Sequence, residues 1–451
     1  MAGLFGTDGI RGRANTYPIT CEIALRTGRA VGNFVRENRR DLLVIGRDTR
    51  ISGGMLESAL AAGAASTGVD VRLAGVIPTP GVAYLCSALK GAGAGIVISA
   101  SHNPYYDNGI KIFRQGGIKL TDVQEQEIES KILEESITVS QEKIGKISAI
   151  PNGLDLYSEF LVSKFPIRKL VNPKDRRLRL VIDASNGAAS KIGHNIFSPD
   201  LFDVSFIFDE PDGYNINKDC GSQHTEPLKK AVLANKADAG LAFDGDADRL
   251  IAVDETGTEI TGDQILAICV RYAKEKGLLK KDILVSTIMS NVGLTAALKS
   301  LGIEHVKSDV GDRKVLEEMM RSGAGIGGED SGHIIFLKDH TTGDGMLSAL
   351  KLLEVMMDTN KPLSELASFM TVYPQVLINV EVDESRPDFM QIKPIAEKIR
   401  QVEAKLSGQG RVLIRYSGTQ PLLRVMVEGP DQNQTQTCCE EICRVIRENI
   451  G

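Results

Sequence analysis

Short apolar runs with the length and β-branched content of buried strands recur along this chain, and each stops abruptly in glycine and small polar or charged residues. Leu42-Leu43-Val44-Ile45 runs into Gly46-Arg47-Asp48, and Gly95-Ile96-Val97-Ile98 into Ser99-Ala100-Ser101-His102-Asn103-Pro104. Leu180-Val181-Ile182-Asp183 leads to Ser185-Asn186-Gly187, and Gly240-Leu241-Ala242-Phe243 to Asp244-Gly245-Asp246-Ala247-Asp248-Arg249. The segments between carry apolar residues at helical spacing, such as Ile23, Ala30, Val31, Phe34 and Val35 behind the capping residue Thr20. Strand and helix in turn restrict the fold to α/β domains whose sheets, mostly parallel in pairing, lie between helices. Such sheets place their sites at strand ends.

At 451 residues the chain is too long for one hydrophobic core. Three α/β units of similar length are expected, over residues 1–150, 151–256 and 257–370, each presenting a polar loop. The last stretch, 371–451, differs. Strands at 376–382, 412–416 and 423–427 with helices at 392–406 and 435–449 predict a smaller α+β domain, with antiparallel pairing through Ser417-Gly418-Thr419-Gln420-Pro421. A formal net charge of -6 excludes the basic footprint of a nucleic-acid or membrane-surface binder. Seven cysteines, an odd number without CxxC spacing, point to free thiols in a reducing compartment. No basic segment follows Met1 and no apolar run reaches membrane-spanning length, so a cytoplasmic location is expected.

Turning at Ser-His-Asn-Pro is expected to lift the Ser101 hydroxyl out of its sheet into the open. A serine becomes a nucleophile only with a base or a metal beside it. His102 is adjacent, but neighbours on an extended backbone point to opposite faces, which leaves Lys111 and the acidic cluster as helpers. Asp244, Asp246 and Asp248 put three carboxylates within five residues. Like charges so close raise one another's pKa until a hard cation relieves them. An EF-hand is excluded, because Arg249 stands where the calcium loop needs glycine and strands flank the loop; the set favours Mg²⁺. Arg11 lies in the turn Phe5-Gly6-Thr7-Asp8-Gly9-Ile10-Arg11-Gly12, whose glycines let backbone approach a ligand. Gly328-Glu329-Asp330-Ser331-Gly332-His333 presents a carboxylate, a hydroxyl and an imidazole suited to sugar hydroxyls. Around Gly418, the side chains of Arg415, Ser417, Thr419 and Arg424 make a phosphate cradle. Plainer readings stand beside these: a capped loop at Ser101, a solvated acidic turn, and a hairpin with two surface arginines.

In this order and at this spacing, Ser-Ala-Ser-His-Asn-Pro, Asp-Gly-Asp-Ala-Asp-Arg, Gly-Glu-Asp-Ser-Gly-His and Arg-Tyr-Ser-Gly-Thr-Gln-Pro resemble the α-D-phosphohexomutase superfamily over essentially the whole chain. The Phe5 to Gly12 turn, Asn215-Ile216-Asn217 with Cys220-Gly221, Met289-Ser290-Asn291-Val292-Gly293-Leu294 and His340-Thr341-Thr342-Gly343-Asp344-Gly345 are most similar to bacterial members that act on glucosamine phosphates. The resemblance implies three α/β domains with mixed sheets, plus a C-terminal TATA-binding-protein-like domain, around a central cleft. It implies that Ser101 is carried as phosphoserine and that Ser101, Asp244, Asp246 and Asp248 hold one Mg²⁺ per chain. Arg11, Lys111 and His333 then serve the chemistry, the last two as acid and base. Arg249, Glu329 and Ser331 bind substrate, and Arg415, Ser417, Gly418, Thr419 and Arg424 hold its non-reacting phosphate. The implied activity interconverts glucosamine 6-phosphate and glucosamine 1-phosphate through a bisphosphate, with a hexosamine or hexose 1,6-bisphosphate as activator, for UDP-N-acetylglucosamine synthesis. A homodimer is compatible with this. Lys111 needs a lowered pKa to serve as a base. Two residues depart from the pattern: Gln420 replaces a Glu and alters the charge of the phosphate loop, and Asp330 replaces a Gln and bears on sugar preference. Rival readings are a glucose- or mannose-phosphate mutase, a Mg²⁺-dependent phosphatase and a non-catalytic sugar-phosphate sensor. The intact Ser101, aspartates and Lys111 disfavour the sensor, and the Arg415 loop disfavours the phosphatase.

Overall fold

The structure is a computed structural model that describes residues 3–6, 8–134, 139–166, 177–383, 385–407, 409–417 and 421–451. Two units separate by their internal contacts: Met1–Met289 with Ile303–Ser368, and Ser290–Gly302 with Phe369–Gly451.

Among the described residues the first unit carries three sheets built on one plan. The first joins β1 (Phe5–Gly6), β2 (Gly9–Arg13), β3 (Leu42–Arg47), β4 (Asp70–Val76), β5 (Ala92–Ile98), β6 (Asp107–Arg114), β7 (Ile118–Lys119) and β8 (Ile147–Ala149). Its order is β1-β2-β6-β5-β3-β4-β8, with β7 on β6. The apolar strands β3, β4, β5 and β8 pair in parallel, whereas β6 returns antiparallel to β5. The second sheet, β10-β9-β11-β12-β13, uses β9 (Arg179–Asp183), β10 (Asp203–Ile207), β11 (Ala239–Phe243), β12 (Leu250–Asp254) and β13 (Glu259–Ile260). The third, β15-β14-β16-β17, uses β14 (Ile283–Thr287), β15 (Glu304–Ser308), β16 (Ile326–Gly328) and β17 (Ile334–Phe336).

Pairing is therefore mixed, with more antiparallel contact than the alternation of strand and helix predicts. The reason is loop length. Residues 99–106 join β5 to β6, 244–249 join β11 to β12, and 329–333 join β16 to β17. Each is too short for the crossover that a parallel return needs. The three polar motifs of the sequence are these three connections, so each sheet ends its parallel set in a hairpin whose loop carries the chemistry.

Helices Cys21–Glu37 and Gly53–Ala65 bury Ile23, Val31, Leu56 and Leu60 in one core with Leu43, Ile45, Ile96 and Ile98 of β3 and β5. Thr20 caps the first of them, accepting the Ile23 amide at 3.3 Å. In the second unit, β18 (Gln375–Glu381), β19 (Arg411–Tyr416) and β20 (Leu422–Glu428) form an antiparallel sheet in the order β18-β20-β19. Helices Lys393–Leu406 and Gln432–Ile450 pack onto it through Ile395, Ile399, Cys439, Ile442 and Ile446. All seven cysteines are free thiols. No helix among the described residues is long and apolar enough to cross a membrane.

The two helices of the first core cross at backbone distance, because a Cβ at Gly28 would fall 2.2 Å from the Leu60 carbonyl oxygen. Gly28→Val is expected to lower stability by about 1–3 kcal/mol through overpacking. An unchanged denaturant midpoint would refute that close approach.

Candidate active site

The loop after β5 is held from beneath by a buried cation. Arg50 is 1% exposed. Its Nη2 donates to the carbonyls of Ser101 (2.9 Å) and Asn103 (2.8 Å), its Nη1 to those of Pro104 and Asp107, and its Nε to Asp48 at 2.8 Å. Asp48 also accepts the Ser99 hydroxyl at 2.7 Å. Burial pushes the Asp48 carboxyl up, and the Arg50 charge offsets that only in part. The clamp holds Ser101 in the left-handed region, φ 52°.

Ser101 is 1% exposed, so its hydroxyl does not stand in the open as the strand-end turn predicts. It donates to Asp244 Oδ2 at 2.5 Å. A single strand's pattern carries no trace of the cause, which is the β11–β12 loop arriving from another domain. A Cβ at Gly245 would lie 2.7 Å from the Ser101 carbonyl oxygen.

Asp244, Asp246 and Asp248 are all buried, and one carboxylate oxygen of each lies within 4.8 Å of the others. Burial, then the charges of Asp248 and Asp246, pushes Asp244 well up. Burial acts on Asp246 in the same sense, but Lys111 at 2.8 Å and the Thr79 hydroxyl at 2.5 Å overcome it and hold Asp246 well below the usual range. Asp246 Oδ1 and Asp248 Oδ1 are buried without a hydrogen-bond partner among the described residues. Orphaned anionic oxygens beside an oxygen-rich cluster suit a hard divalent cation, so the donor set fits a metal ion.

Lys111 is 2% exposed and lies 2.8 Å from Asp246, 3.2 Å from Asp248 and 3.3 Å from Asp8. Burial alone would lower its pKa; the three carboxylates reverse that and hold it well above the usual value. The lowered pKa that a base at Lys111 needs is therefore not found. Burial, reinforced by the charges of Arg249 and Arg11, pulls His102 down to about 4, so it is neutral near pH 7.

A cavity of about 290 Å³ brings Arg11, Ser101, Lys111, Asp248, Arg249, Glu329 and His333 together, close to the lower end of the range for small-ligand sites, about 300–1,000 Å³. Asp8 and Asp312, neither singled out from sequence, complete the wall. Lys119 bridges these two carboxylates, and Arg11 donates to Asp8 at 2.9 Å. His333 is 3% exposed, and neither ring nitrogen has a hydrogen-bond partner among the described residues. Ser331 is half-buried and does not line this cavity. Asp330 accepts the Asp263 amide at 3.3 Å, at the start of helix Gly262–Glu275.

In the second unit, Arg415 of β19 stands directly opposite Arg424 of β20. Like charges in register across strands repel. Burial, then the Arg424 charge, lowers the Arg415 pKa. Ser417 Oγ and Arg424 Nε are buried without a hydrogen-bond partner among the described residues. Two facing guanidiniums with spare donors fit an anion. Gly418, Thr419 and Gln420, read as part of the same cradle, lie outside the described residues.

Residues 2–138, 155–257, 261–373 and 377–445 match, in this order, the α/β/α domains I, II and III and the C-terminal domain of phosphoglucomutase/phosphomannomutase. The chain belongs to that family. A phosphoglucosamine mutase of Desulforapulum autotrophicum is 57% identical, with 99% of both chains covered. A phosphoglucosamine mutase of Syntrophus aciditrophicus is 50% identical over 100% of both. The crystal structure of a phosphoglucomutase/phosphomannomutase family protein from Burkholderia thailandensis, 25% identical, superposes with a TM-score of 0.81 over 98% of both chains. The resemblance seen in the motifs is thus a family membership that spans the chain.

Nothing in the sequence pattern singles out Arg50. It sits in Arg47-Asp48-Thr49-Arg50, a polar strand end like the others, but its partners lie about fifty residues on. Replacing it with Met would leave Asp48 and four carbonyls facing a buried apolar chain. Breaking such a buried charge pair costs about 3–5 kcal/mol. Arg50→Met is expected to lose stability on that scale by denaturant titration, and to lose activity with it.

Proposed function

We propose that this chain is an isomerase that interconverts glucosamine 6-phosphate and glucosamine 1-phosphate through a phosphoryl group carried on Ser101 and a hexosamine 1,6-bisphosphate. The observation that carries the reading is the Ser101 hydroxyl, buried in the cavity against Asp244 and beside two orphaned carboxylate oxygens. The sugar is supported by relatives named phosphoglucosamine mutase at 57% and 50% identity over nearly the whole chain.

Phosphoryl transfer needs in-line positioning and charge neutralisation more than covalent help. When bound by Asp244, Asp246, Asp248 and Ser101, Mg²⁺ supplies positive charge against the transferring group. Arg11 and Arg249 add fixed charge from the cavity wall. The bond from phosphorus to the Ser101 oxygen breaks as a bond to the sugar oxygen forms. Lys111, held protonated, suits donation to the departing Ser101 oxygen. His333, with unpartnered ring nitrogens, suits removal of the sugar hydroxyl's proton. Proton transfer of this kind contributes roughly 10²–10⁴-fold. Glu329 and Ser331 are assigned to sugar hydroxyls. Arg415, Ser417, Gly418, Thr419 and Arg424 are assigned to the non-reacting phosphate, which must stay bound while the bisphosphate turns over. Fixing both ends in line is worth about 7–11 kcal/mol. A hexose 1,6-bisphosphate activator, a cytoplasmic location and a homodimer accompany this reading by likeness to the superfamily.

The test is turnover of glucosamine, glucose and mannose 6-phosphates with Mg²⁺ and a trace of glucose 1,6-bisphosphate. Clear preference for glucosamine is expected; preference for glucose or mannose would keep the chemistry and overturn the sugar. Ser101→Ala should lower turnover by several orders of magnitude. Wild-type turnover in that variant would sink the phosphoserine scheme.

Chelation gives an independent check. Activity should vanish with EDTA and return with Mg²⁺, and Asp246→Asn should remove that recovery.

A further inference from the structure

One part of the cavity wall brings Asp312, Glu329 and His333 together, and phosphate binding does not use its two carboxylates. Asp312 is the first residue of helix Asp312–Ser322, where the helix dipole favours a carboxylate. Its Oδ1 accepts the Arg313 amide at 2.7 Å, while its Oδ2 pairs with Lys119 and lies 3.5 Å from His333 Nε2. Lys119 is shared with Asp8, and the Arg313 side chain turns away to Asp122 and Glu125. Asp8 has Arg11 and Lys111 besides, so Lys119 is the ammonium that pairs with Asp312. Glu329 is adjacent, because its Oε1 accepts the amide of Gly311 at 3.2 Å.

His333 provides the independent sign that a ligand belongs here. It is 3% exposed, lines the cavity, and has no hydrogen bond to either ring nitrogen among the described residues. It is pinned from behind, since a Cβ at Gly343 would lie 2.3 Å from Nε2. A buried imidazole left unpaired is costly unless something bound completes it. The groups converging here are two carboxylates able to accept and an imidazole with neither nitrogen hydrogen-bonded among the described residues. A sugar hydroxyl has one proton to offer them. An ammonium has three, and a charge opposite to that of the carboxylates.

We propose that Asp312, seated beside His333 and Glu329, is the residue that selects a 2-ammonium sugar phosphate over its 2-hydroxy counterpart. This rests on the hexosamine-phosphate reading and names the group that enforces it. The Asp312 carboxylate takes the C2 ammonium directly, and Lys119 keeps the carboxylate in place when the site is empty.

The experiment compares kcat/KM for glucosamine 6-phosphate, glucose 6-phosphate and 2-deoxyglucose 6-phosphate, in the wild type and in Asp312→Asn. A hydrogen bond to a charged group is worth enough for the ratio of glucosamine to 2-deoxyglucose turnover to fall by about 10–100-fold in the variant. A variant in which all three substrates fall together, leaving the ratio unchanged, overturns the proposal and makes Asp312 a structural partner of Lys119. Asp312→Glu keeps the charge and the Lys119 pair, which guards against misfolding of the Asn variant. The ratio should fall there by less than in Asp312→Asn, and a ratio left unchanged in both variants overturns the proposal. The wild-type measurement separately decides the hexosamine reading. An enzyme that prefers glucose refutes that reading, whereas an enzyme that prefers glucosamine with an unmoved ratio in both variants refutes only the role of Asp312.

Discussion

The Arg50 guanidinium donates to the main-chain carbonyls of Ser101, Asn103, Pro104 and Asp107 and to the Asp48 carboxylate, and the placement of the Ser101 hydroxyl depends on this one buried group. A left-handed residue such as Ser101 costs of order 1–3 kcal/mol. Each hydrogen bond from a buried cation contributes roughly 1.5–3 kcal/mol. Several such bonds outweigh the strain, so the loop is held in a conformation it would not choose alone. The Asn217 amide adds two further donations to the Ser101 and Asn103 carbonyls, at 2.8 and 3.0 Å. Position and rigidity therefore come from different residues: a serine in a left-handed conformation, and a buried cation that fixes the carbonyls around it.

Electrostatic balance at the aspartates follows a similar division. Three buried carboxylates repel one another, and the protein relieves only part of this through Lys111, Thr79 and the Arg249 amide, which donates to Asp244 at 3.1 Å. What it leaves unrelieved is directional: the orphaned oxygens of Asp246 and Asp248 belong to the carboxylates nearest Lys111. A site whose anionic oxygens were all satisfied internally would have no reason to take a cation. The raised pKa of Lys111 is the other side of that arrangement: the carboxylates that repel one another favour its charged form.

Much of this was legible in the chain. Strand ends were visible because apolar runs stop sharply, and Ser101, the three aspartates and Glu329 could be named because each lies in a short loop after such a run. Family membership followed from four motifs in order. The burial of Ser101, the direction of the Lys111 shift, and the parts played by Arg50, Lys119 and Asp312 were not legible. Each depends on a contact between residues far apart in the chain: Ser101 with Asp244, Lys111 with Asp246, Lys119 with Asp312. Periodicity reports which face of an element is apolar; it is silent on which loop of another domain will cover its end. Asp330 shows the same limit, since its side chain caps a helix within its own domain.

Glycine marks where those loops meet, and this explains why the site in the first unit can be specific. A Cβ at Gly332, whose φ is 90°, would fall 2.1 Å from the Leu250 carbonyl oxygen. One at Gly345 would fall 2.4 Å from that of Arg249, and one at Gly262 2.4 Å from that of Glu329. Backbone hydrogen bonds cross the same seams, from Leu250 to Gly332 and from Gly345 to Ala247, both at 3.0 Å. Hairpin loops from the second and third sheets thus touch main chain to main chain, with no side chain between them to rearrange. Loops seated in this way are preorganised, and binding energy is not spent on ordering them. Discrimination between sugars must then come from the side chains that project past the seams into the cavity. Asp312, Glu329 and His333 are among the side chains that line it, two carboxylates able to accept hydrogen bonds and an imidazole whose nitrogens have no such partner among the described residues.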